Sequence, residues 1–336
     1  MGSFVYGICA ARELLLNALG ASLALGLFYL GPLFGVLLSI YLLFTPLAPL
    51  LLLYFVWIYL DRNTPHRDGR RIKWIRSLPI YQRFRDYFPI KLIKTADLPS
   101  TKNYIFCAFP HGILCSSVLA EFVAENKEFE QLYPGIDVTC HTLNSNFYYP
   151  FSREYVLSLG FNSVSKEALM HQLTKPAGRA VCIVVGGSAE AMISSPGTHR
   201  IIAKNRKGFV KLALTTGADL VPIYSFGETD LYNQLIYPEN SLIRKFQQAV
   251  RKFTGIAPVL FYGRGLFQGL FGLLPYNKPI HMVVGKPISV EKVENPSRDQ
   301  VNKLHQTFIE EMSNLFDTHK TKYIPNPSKV QLTIED

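Results

Sequence analysis

The distribution of hydrophobic residues divides the chain into two different parts. The run Leu14–Leu60 contains 47 consecutive residues without Asp, Glu, Lys, Arg or His. One membrane-spanning helix needs about 20 apolar residues, so the run is long enough for two. Thr45-Pro46 interrupts it, which predicts a hairpin of two helices at about Gly20–Leu43 and Leu47–Leu60. Because the second helix is short for a complete crossing, a transmembrane hairpin and a re-entrant hairpin are both open.

Beyond Asn103, short apolar runs alternate with segments of helical periodicity. The predicted strands are Tyr104–Phe109, Val138–Leu143, Ala180–Val185, Leu220–Phe226, Val259–Tyr262 and Ile280–Val284. The predicted helices are Ile113–Leu132, Ser152–Leu159, Asn205–Thr216, Leu242–Phe253 and Arg298–His319. Continuous apolar strands separated by helices are typical of an α/β domain with a largely parallel sheet. In such a sheet, functional groups gather at the carboxyl ends of the strands.

These patterns predict four segments. Residues 1–60 hold the membrane hairpin, and residues 61–102 form a basic linker at the membrane interface. Residues 103–323 form the α/β domain, and residues 324–336 are a loosely held tail.

Positive charge is concentrated directly after the apolar run. The chain has 35 Lys and Arg against 25 Asp and Glu, a formal net charge of +10. Between residues 61 and 95 three acidic residues face ten basic ones, which are Arg62, Arg67, Arg70, Arg71, Lys73, Arg76, Arg83, Arg85, Lys91 and Lys94. The positive-inside rule places this side in the cytosol, together with the N-terminus of a hairpin. Charge beside a membrane segment favours anionic lipid, and not nucleic acid, as its partner.

The segment Phe109–Gly112 is the first candidate for a catalytic turn. A predicted strand ends at Pro110, His111 follows, and Gly112 precedes a helical pattern. An imidazole beside a helix N-terminus is disfavoured in its charged form, so we expect His111 to remain neutral and able to accept a proton. A histidine base also needs a group that fixes its tautomer, commonly a carboxylate.

The second candidate site follows another predicted strand, where Gly186 and Gly187 precede Ser188 and Glu190. The nine residues after His111 include no acid, so we predict that Glu190 supplies the carboxylate. A helix N-terminal acid without a catalytic role is the alternative for Glu190. Ser188 approaches the Gly-x-Ser-x-Gly pattern of a serine nucleophile, but Glu190 occupies the position of its second glycine.

Motifs for several other chemistries are absent from the sequence. It contains no Gly-x-Gly-x-x-Gly, no Gly-x4-Gly-Lys-Ser/Thr and no His-Glu-x-x-His. The eight histidines are dispersed and the five cysteines have no zinc-site spacing. We therefore expect no metal site.

Ten segments, in order along the chain, resemble acyl-CoA:diacylglycerol/monoacylglycerol acyltransferases of the second type, and are most similar to the monoacylglycerol branch. They are Tyr59–Pro65, Asp86–Ile90, Asn103–Phe106, Pro110–Gly112, Arg153–Tyr155, Val184–Gly187, Asn205–Leu214, Gly217–Glu228, Gly263–Gly265 and Val283–Ile288. The resemblance implies an integral enzyme of the endoplasmic reticulum that also visits lipid droplets. It implies transfer of a fatty acyl group from coenzyme A to mono- or diacylglycerol in the bilayer. Acyl-CoA is then a co-substrate, and no further cofactor is expected.

The same resemblance bears on the candidate residues. The family motif is usually His-Pro-His-Gly, and its second histidine, regarded as catalytic, corresponds to His111. The first histidine is replaced by Phe109, which either serves equally in shaping the turn or lowers activity and selectivity. The acid proposed for the family in Gly-Gly-x-x-Glu corresponds to Glu190.

We expect a mechanism without a covalent enzyme intermediate. His111 takes the proton of the acceptor hydroxyl while its oxygen attacks the thioester carbonyl, and Glu190 supports the imidazolium. Backbone N–H groups after Gly112 stabilise the developing oxyanion. Because coenzyme A is polyanionic, basic residues near helix starts are candidates for binding its phosphates, with a solvated basic helix face as the alternative. These candidates are Arg153, Arg206, Lys207 and Lys211.

Alternatives remain for the acceptor and for the activity. The acceptor is monoacylglycerol, diacylglycerol or a long-chain alcohol, the last of which would make a wax-alcohol acyltransferase. One rival is a lipid hydrolase that uses Ser188. Another is a catalytically weakened relative, marked by Phe109, that binds neutral lipid or a partner enzyme. A homo- or hetero-oligomeric assembly is left open.

Overall fold

The fold is built around a seven-stranded sheet with helices on both faces. A computed structural model describes residues 2–265 and 271–336, and describes side chains from Arg12 onward. The strands are β1 (Ile90–Lys94), β2 (Tyr104–Phe109), β3 (Asp137–Thr142), β4 (Asn162–Ser163), β5 (Arg179–Val184), β6 (Arg200–Ile202), β7 (Asp219–Phe226), β8 (Asn233–Gln234), β9 (Phe261–Arg264), β10 (Phe271–Gly272), β11 (Ile280–Val284) and β12 (Thr333–Glu335).

The central sheet has the strand order β1-β11-β7-β2-β5-β3-β4. Its neighbouring strands are parallel except for β7 and β11, which are antiparallel. The predicted α/β fold with a largely parallel sheet is therefore confirmed. The predicted strand near residue 260 forms instead as β9, in a separate three-stranded antiparallel sheet with β8 and β10.

Strand β2 lies in the middle of the sheet because both its faces are apolar. All six of its residues are buried. Tyr104 and Phe106 pack into the core on one face, and Ile105 and Phe109 pack into the core on the other. A strand that is buried on both faces reads as a continuous apolar run, which is why the sequence predicted it with the right bounds.

The helices vary widely in length. They are α1 (Gly2–Tyr29), α2 (Gly31–Leu43), α3 (Ala48–Leu60), α4 (Lys73–Arg76), α5 (Pro79–Tyr87), α6 (Ser116–Val118), α7 (Lys127–Leu132), α8 (Ser152–Ser158), α9 (Lys166–Leu173), α10 (Gly187–Ala191), α11 (Gly208–Thr216), α12 (Leu242–Thr254) and α13 (Arg298–Tyr323).

The single helix predicted over Ile113–Leu132 is wrong. The segment contains α6, a π-helical turn at Leu119–Val123 and then α7. The break has a local cause, because the Asn126 side chain accepts hydrogen bonds from the backbone of Glu128 and Phe129 and so caps a new helix.

The apolar N-terminal run forms three helices where two were predicted. The predicted first helix is divided at Leu30, because Gly31 and Pro32 begin α2. In the described residues, no single helix is long and apolar enough to cross a membrane. The pair Arg12–Tyr29 and Gly31–Leu43, bent by 61°, meets that criterion only when taken together.

The segments predicted as linker and tail both contribute strands. The linker, 61–102, contains α4, α5 and β1, and β1 pairs in parallel with β11 at the edge of the central sheet. In the tail, 324–336, β12 pairs in parallel with β6, so that Ile334 lies beside Ile201. Both segments are therefore part of the folded domain.

Candidate active site

The turn after β2 presents His111 between the carboxyl ends of β5 and β7. Gly112 has φ +60°, and the backbone N–H of Cys115 donates to the carbonyl of His111 at 3.0 Å. The ring Nδ1 of His111 lies 3.3 Å from the carbonyl oxygen of Gly112. With the proton on Nδ1, the other ring nitrogen, Nε2, is free to act as a base.

Burial lowers the pKa of the His111 imidazole below its usual 6.5. The cause is desolvation, which disfavours the charged ring. The sequence suggested a helix dipole as the cause, but α6 has only three residues and begins five positions after His111. The ring is half-buried, so the same turn leaves part of it accessible.

Glu190 holds the backbone of this turn. Its carboxylate accepts hydrogen bonds from the backbone N–H of His111 at 2.6 Å and of Ile202 at 2.7 Å. The side chain is buried, and burial raises its pKa to about 8. The predicted pairing of Glu190 with the imidazole is not the geometry observed, because both carboxylate oxygens contact backbone N–H groups.

Gly186 makes room for this arrangement. The side chain of Glu190 folds back over it, and a Cβ at residue 186 would lie 2.0 Å from the Glu190 Cδ. Gly187, with φ +57°, begins α10 and carries the chain into the same turn. Both glycines of the predicted motif therefore have conformational roles.

A second buried carboxylate, that of Glu228, supports the other end of the turn. It accepts hydrogen bonds from the backbone N–H of Ser116 at 2.7 Å and of Ser117 at 2.8 Å. A Cβ at Gly112 would lie 2.9 Å from the Glu228 Cγ. Burial raises the pKa of Glu228. From the sequence, Glu228 was assigned no role, although its position just after β7 was an available signal.

The two carboxylates change which backbone groups can meet an oxyanion. The N–H groups of Ser116 and Ser117 already donate to Glu228. Within the described part of the chain, the N–H groups of Gly112, Ile113 and Leu114 donate no hydrogen bond. The available donors are therefore those directly after His111. The hydroxyl of Tyr29, at the end of α1, donates to the Leu114 carbonyl at 2.6 Å and joins the N-terminal helices to the turn.

Phe109 lies on the opposite side of the central sheet from α1. Its ring is fully buried and packs against Phe308 of α13, with 6.3 Å between ring centroids. Phe209 of α11 belongs to the same apolar cluster. The residue that departs from the family motif thus fills the core behind the turn.

The four predicted phosphate ligands have different surroundings. Arg153 is fully buried and forms ion pairs with Asp61 and Glu154, so the prediction that it binds phosphate is wrong. It joins the end of α3 to α8. Lys207 donates to the side chain of Asn302 at 2.8 Å. Arg206 and Lys211 are exposed.

Ser188 lacks the partner that a serine nucleophile requires. Its side chain is half-buried, and no histidine of the described residues hydrogen-bonds its hydroxyl. His199 pairs instead with the hydroxyl of Tyr224 at 2.9 Å. The geometry of a catalytic Ser-His pair is therefore not present at Ser188.

A separate apolar cavity of about 700 Å³ lies where α1 meets α4, α5 and α8. Its walls include Leu23, Leu27, Trp74, Leu78 and Tyr155. His111 is not among its lining residues, so this cavity and the catalytic turn are distinct features.

The chain is similar in sequence to known acyltransferases. The chain is 46% identical over 271 residues to 2-acylglycerol O-acyltransferase 1 of Mus musculus, covering 80% of this chain and 81% of that one. It is 47% identical over 273 residues to Diacylglycerol O-acyltransferase 2 of Homo sapiens, covering 81% and 70%. It is 42% identical over 283 residues to Diacylglycerol O-acyltransferase 1 of Schizosaccharomyces pombe, covering 84% and 82%. These relatives are acyltransferases.

The family follows from a match over most of the chain. Residues 40–335 match the sequence model described as Diacylglycerol acyltransferase. The chain belongs to the diacylglycerol acyltransferase family. The chain is 46% identical to a relative named for 2-acylglycerol and 47% identical to one named for diacylglycerol. Sequence identity therefore does not indicate which of the two acceptors this chain uses.

Proposed function

We propose that this protein transfers a fatty acyl group from acyl-CoA to monoacylglycerol, and to diacylglycerol as a second acceptor, with His111 as general base. The observation that carries the proposal is the half-buried imidazole of His111, whose pKa is lowered by burial, on a turn fixed at both ends by buried carboxylates. Membership of the acyltransferase family supplies the reaction class.

In the proposed reaction, Nε2 of His111 removes the proton from the acceptor hydroxyl while the hydroxyl oxygen attacks the thioester carbon. The N–H groups of Gly112 and Ile113 stabilise the oxyanion of the tetrahedral intermediate. The intermediate then collapses, the carbon–sulfur bond breaks, and the imidazolium returns the proton to the leaving thiolate. The products are an ester and free CoA, and no cofactor beyond the co-substrate takes part.

Glu190 has a positioning role in this mechanism. Its carboxylate contacts the His111 backbone and not the ring. The Gly112 carbonyl, 3.3 Å from Nδ1, takes the place of the acid that was expected to fix the tautomer. The imidazolium is therefore stabilised by a neutral carbonyl dipole, and only indirectly by Glu190.

The proposal places the protein on the endoplasmic reticulum membrane, with the domain facing the cytosol, and on lipid droplets. Its support is the exposed apolar surface of α2 and α3, which includes Leu33, Phe34 and Leu53, followed by the basic segment after Asp61. Acylglycerols reside in the bilayer and acyl-CoA arrives from the cytosol, so an enzyme at this interface reaches both substrates.

The test uses membranes containing the full chain, one radiolabelled acyl-CoA, and monoacylglycerol, diacylglycerol and a long-chain alcohol in competition. We expect diacylglycerol as the main product, and a loss of at least about 100-fold in His111→Ala, as for removal of a general base. Ser188→Ala is the matched control and should retain activity. A loss of activity in Ser188→Ala indicates a hydrolase, preference for the alcohol contradicts the acceptor, and no release of CoA with any acceptor indicates a lipid-binding protein.

A further inference from the structure

Helix α12 has its polar face inside and its apolar face outside. Arg244, Gln247 and Arg251, which are three and four residues apart, lie on one side of the helix and point toward the domain. Phe246 and Phe253 are 65% and 88% exposed on the other side. A surface helix normally buries its apolar face, so the inward arginines need a physical reason.

The buried arginines are only partly satisfied. Arg244 is 6% exposed, and one of its terminal nitrogens, Nη1, donates to the carbonyl of Met192 at 3.1 Å. Its Nε, like the Nε of Arg251, is buried without a hydrogen-bond partner in the described part of the chain. A guanidinium carries five N–H groups and one positive charge, and leaving them buried and unpaired is costly.

A third arginine, Arg206, follows the end of β6, where the N–H of Ile202 donates to Glu190. Burial, and the positive charges of Arg206 and Arg244, lower the pKa of Arg251. Among the described residues, none of the three forms an ion pair with a carboxylate within 4.0 Å. Arg244 and Arg251 place two positive charges at a partly desolvated position, Arg206 adds a third that is exposed, and a bound anion would relieve their repulsion.

The cluster adjoins the catalytic turn on the side of Glu190. Met192, which Arg244 contacts, follows directly after α10, the helix that carries Glu190. Arg206 follows four residues after Ile202, whose backbone N–H donates to the Glu190 carboxylate at 2.7 Å. Glu190 in turn binds the backbone of His111. An anion at the arginines would therefore lie next to the reacting groups.

We infer that Arg206, Arg244 and Arg251 form the site that binds the phosphate groups of acyl-CoA. This inference rests on the proposed function and deepens it. Arg206 was one of the four candidates from the sequence, whereas Arg244 and Arg251 lie on a helix to which no role was assigned. The guanidinium fork matches phosphate oxygens in pairs, which a lysine point charge does not.

The same chemistry is offered by the phosphate of an anionic phospholipid. Acyl-CoA fits better because Arg244 faces inward toward the end of α10, while the outer face of α12 is apolar. A headgroup ligand would require the arginines on the outer face, where the lysines Lys245 and Lys252 are exposed.

The first experiment measures binding without catalysis. A non-transferable thioether analogue of palmitoyl-CoA is titrated into the detergent-solubilised full chain, with 3′,5′-ADP as competitor. We expect Arg206→Gln and Arg251→Gln to raise the Kd of the analogue about tenfold each, or about 1.4 kcal/mol, since each removes a charged hydrogen bond. Arg244→Lys, which keeps the charge at the most buried position, should also weaken binding because it removes the fork. The controls are Lys245→Gln, next to Arg244, and Lys252→Gln, next to Arg251. Each removes an exposed positive charge and should leave the Kd within about twofold.

The outcomes separate this inference from the proposed function. In the transfer assay, the arginine variants should raise the KM for acyl-CoA and leave kcat nearly unchanged. A Kd equal to that of the unmodified chain in all three variants overturns the inference. A second measurement is flotation of each variant with phosphatidate-containing vesicles. If the arginine variants lose flotation while their Kd for the analogue is unchanged, the ligand is a lipid headgroup and the inference is also overturned. If the unmodified chain binds the analogue through these arginines but transfers no acyl group, the proposed function fails and the phosphate site stands.

Discussion

The carboxylate of Glu190 accepts a hydrogen bond from the backbone N–H of His111 at 2.6 Å, and the imidazole ring of the same histidine is not its partner. An acid that was expected to act on the ring electrostatically therefore acts on the position of the whole residue. This relationship makes the effect of a change at Glu190 different from that of a change at His111.

We expect Glu190→Gln to lower kcat strongly while the KM for acyl-CoA stays within about twofold. Above pH 8, where Glu190 is ionised, an amide offers one acceptor oxygen in place of two, so either His111 or Ile202 loses its partner, which costs about 1–3 kcal/mol. Steady-state kinetics in detergent micelles measure the split. Glu239→Gln, at an exposed position, is the control. An equal loss in both variants would show that the buried carboxylate is not involved.

The stability of the protein should depend on pH through Glu190. Burial raises its pKa from the usual 4.5 to about 8, so the folded state binds this proton more tightly than the unfolded state. The resulting stabilisation is fully present below pH 4.5 and is lost as the pH rises to about 8. Thermal unfolding at several pH values should show the midpoint of the unmodified chain falling relative to that of Glu190→Gln over this interval. A constant difference between the two would contradict a raised pKa.

Gly186→Ala should abolish activity by displacing Glu190. The new Cβ would lie 2.0 Å from the Glu190 Cδ, so the carboxylate must leave the His111 backbone. Gly26→Ala is the matched control, because nothing lies within 4 Å of a Cβ at residue 26 of α1. That substitution should be neutral or stabilise slightly, by up to about 1 kcal/mol. Retention of full activity in Gly186→Ala would mean that Glu190 does not need its observed position.

The activity of the unmodified chain should persist at mildly acidic pH. Burial lowers the pKa of His111 below 6.5, so the neutral base survives to lower pH than a solvent-exposed histidine would. A profile of kcat/KM against pH reports this value for the free enzyme. We expect its acidic limb to have a midpoint below pH 6.5, and a midpoint at or above pH 7 would refute a desolvated base.

Arg153→Gln should destabilise the protein and leave the KM for acyl-CoA unchanged. Arg153 is fully buried between Asp61 and Glu154, and removal of one partner from a buried ion pair costs about 3–5 kcal/mol. Thermal unfolding and the KM are measured on the same preparation. Arg67→Gln removes a charge at an exposed position after α3, and it should change neither the thermal stability nor the KM. A raised KM without loss of stability would restore the phosphate-binding role to Arg153.

Phe109→His should lower stability without raising kcat. The imidazole would be buried in an apolar cluster with Phe308 and Phe209, where an unpaired polar group costs about 1–3 kcal/mol. Phe109→Leu separates the loss of aromatic packing from the burial of a polar ring. An increase in kcat, or a change of preferred acceptor, in the histidine variant would show instead that residue 109 acts on the substrate.

The features that were predictable from the sequence depend on neighbours along the chain. Strand β2 is an uninterrupted apolar run, β11 is apolar except for His281, and the turn after β2 carries its own proline, histidine and glycine. Strand β1 was missed because its two basic residues, Lys91 and Lys94, interrupt the pattern of apolar residues. Both are exposed at the edge of the sheet. A basic edge strand is one way in which a sheet avoids pairing with another chain.

The features that were missed depend on partners far along the chain. Glu228 binds Ser116 from 112 residues away, and Asp61 pairs with Arg153 from 92 residues away. Periodicity contains no information on such contacts. Arg153 therefore looked like a free cation, and the N–H groups of α6 looked free to meet a substrate.

The pairing of β12 with β6 has a consequence for the order in which the protein assembles. The N–H of Ile202 holds one oxygen of Glu190, and the backbone of Ile202 is paired with Glu335. Arg200 adds an ion pair with the Glu335 carboxylate. During synthesis, the support behind His111 is therefore incomplete until residue 335 has left the ribosome. The catalytic turn is assembled late, after the apolar N-terminal helices have been made.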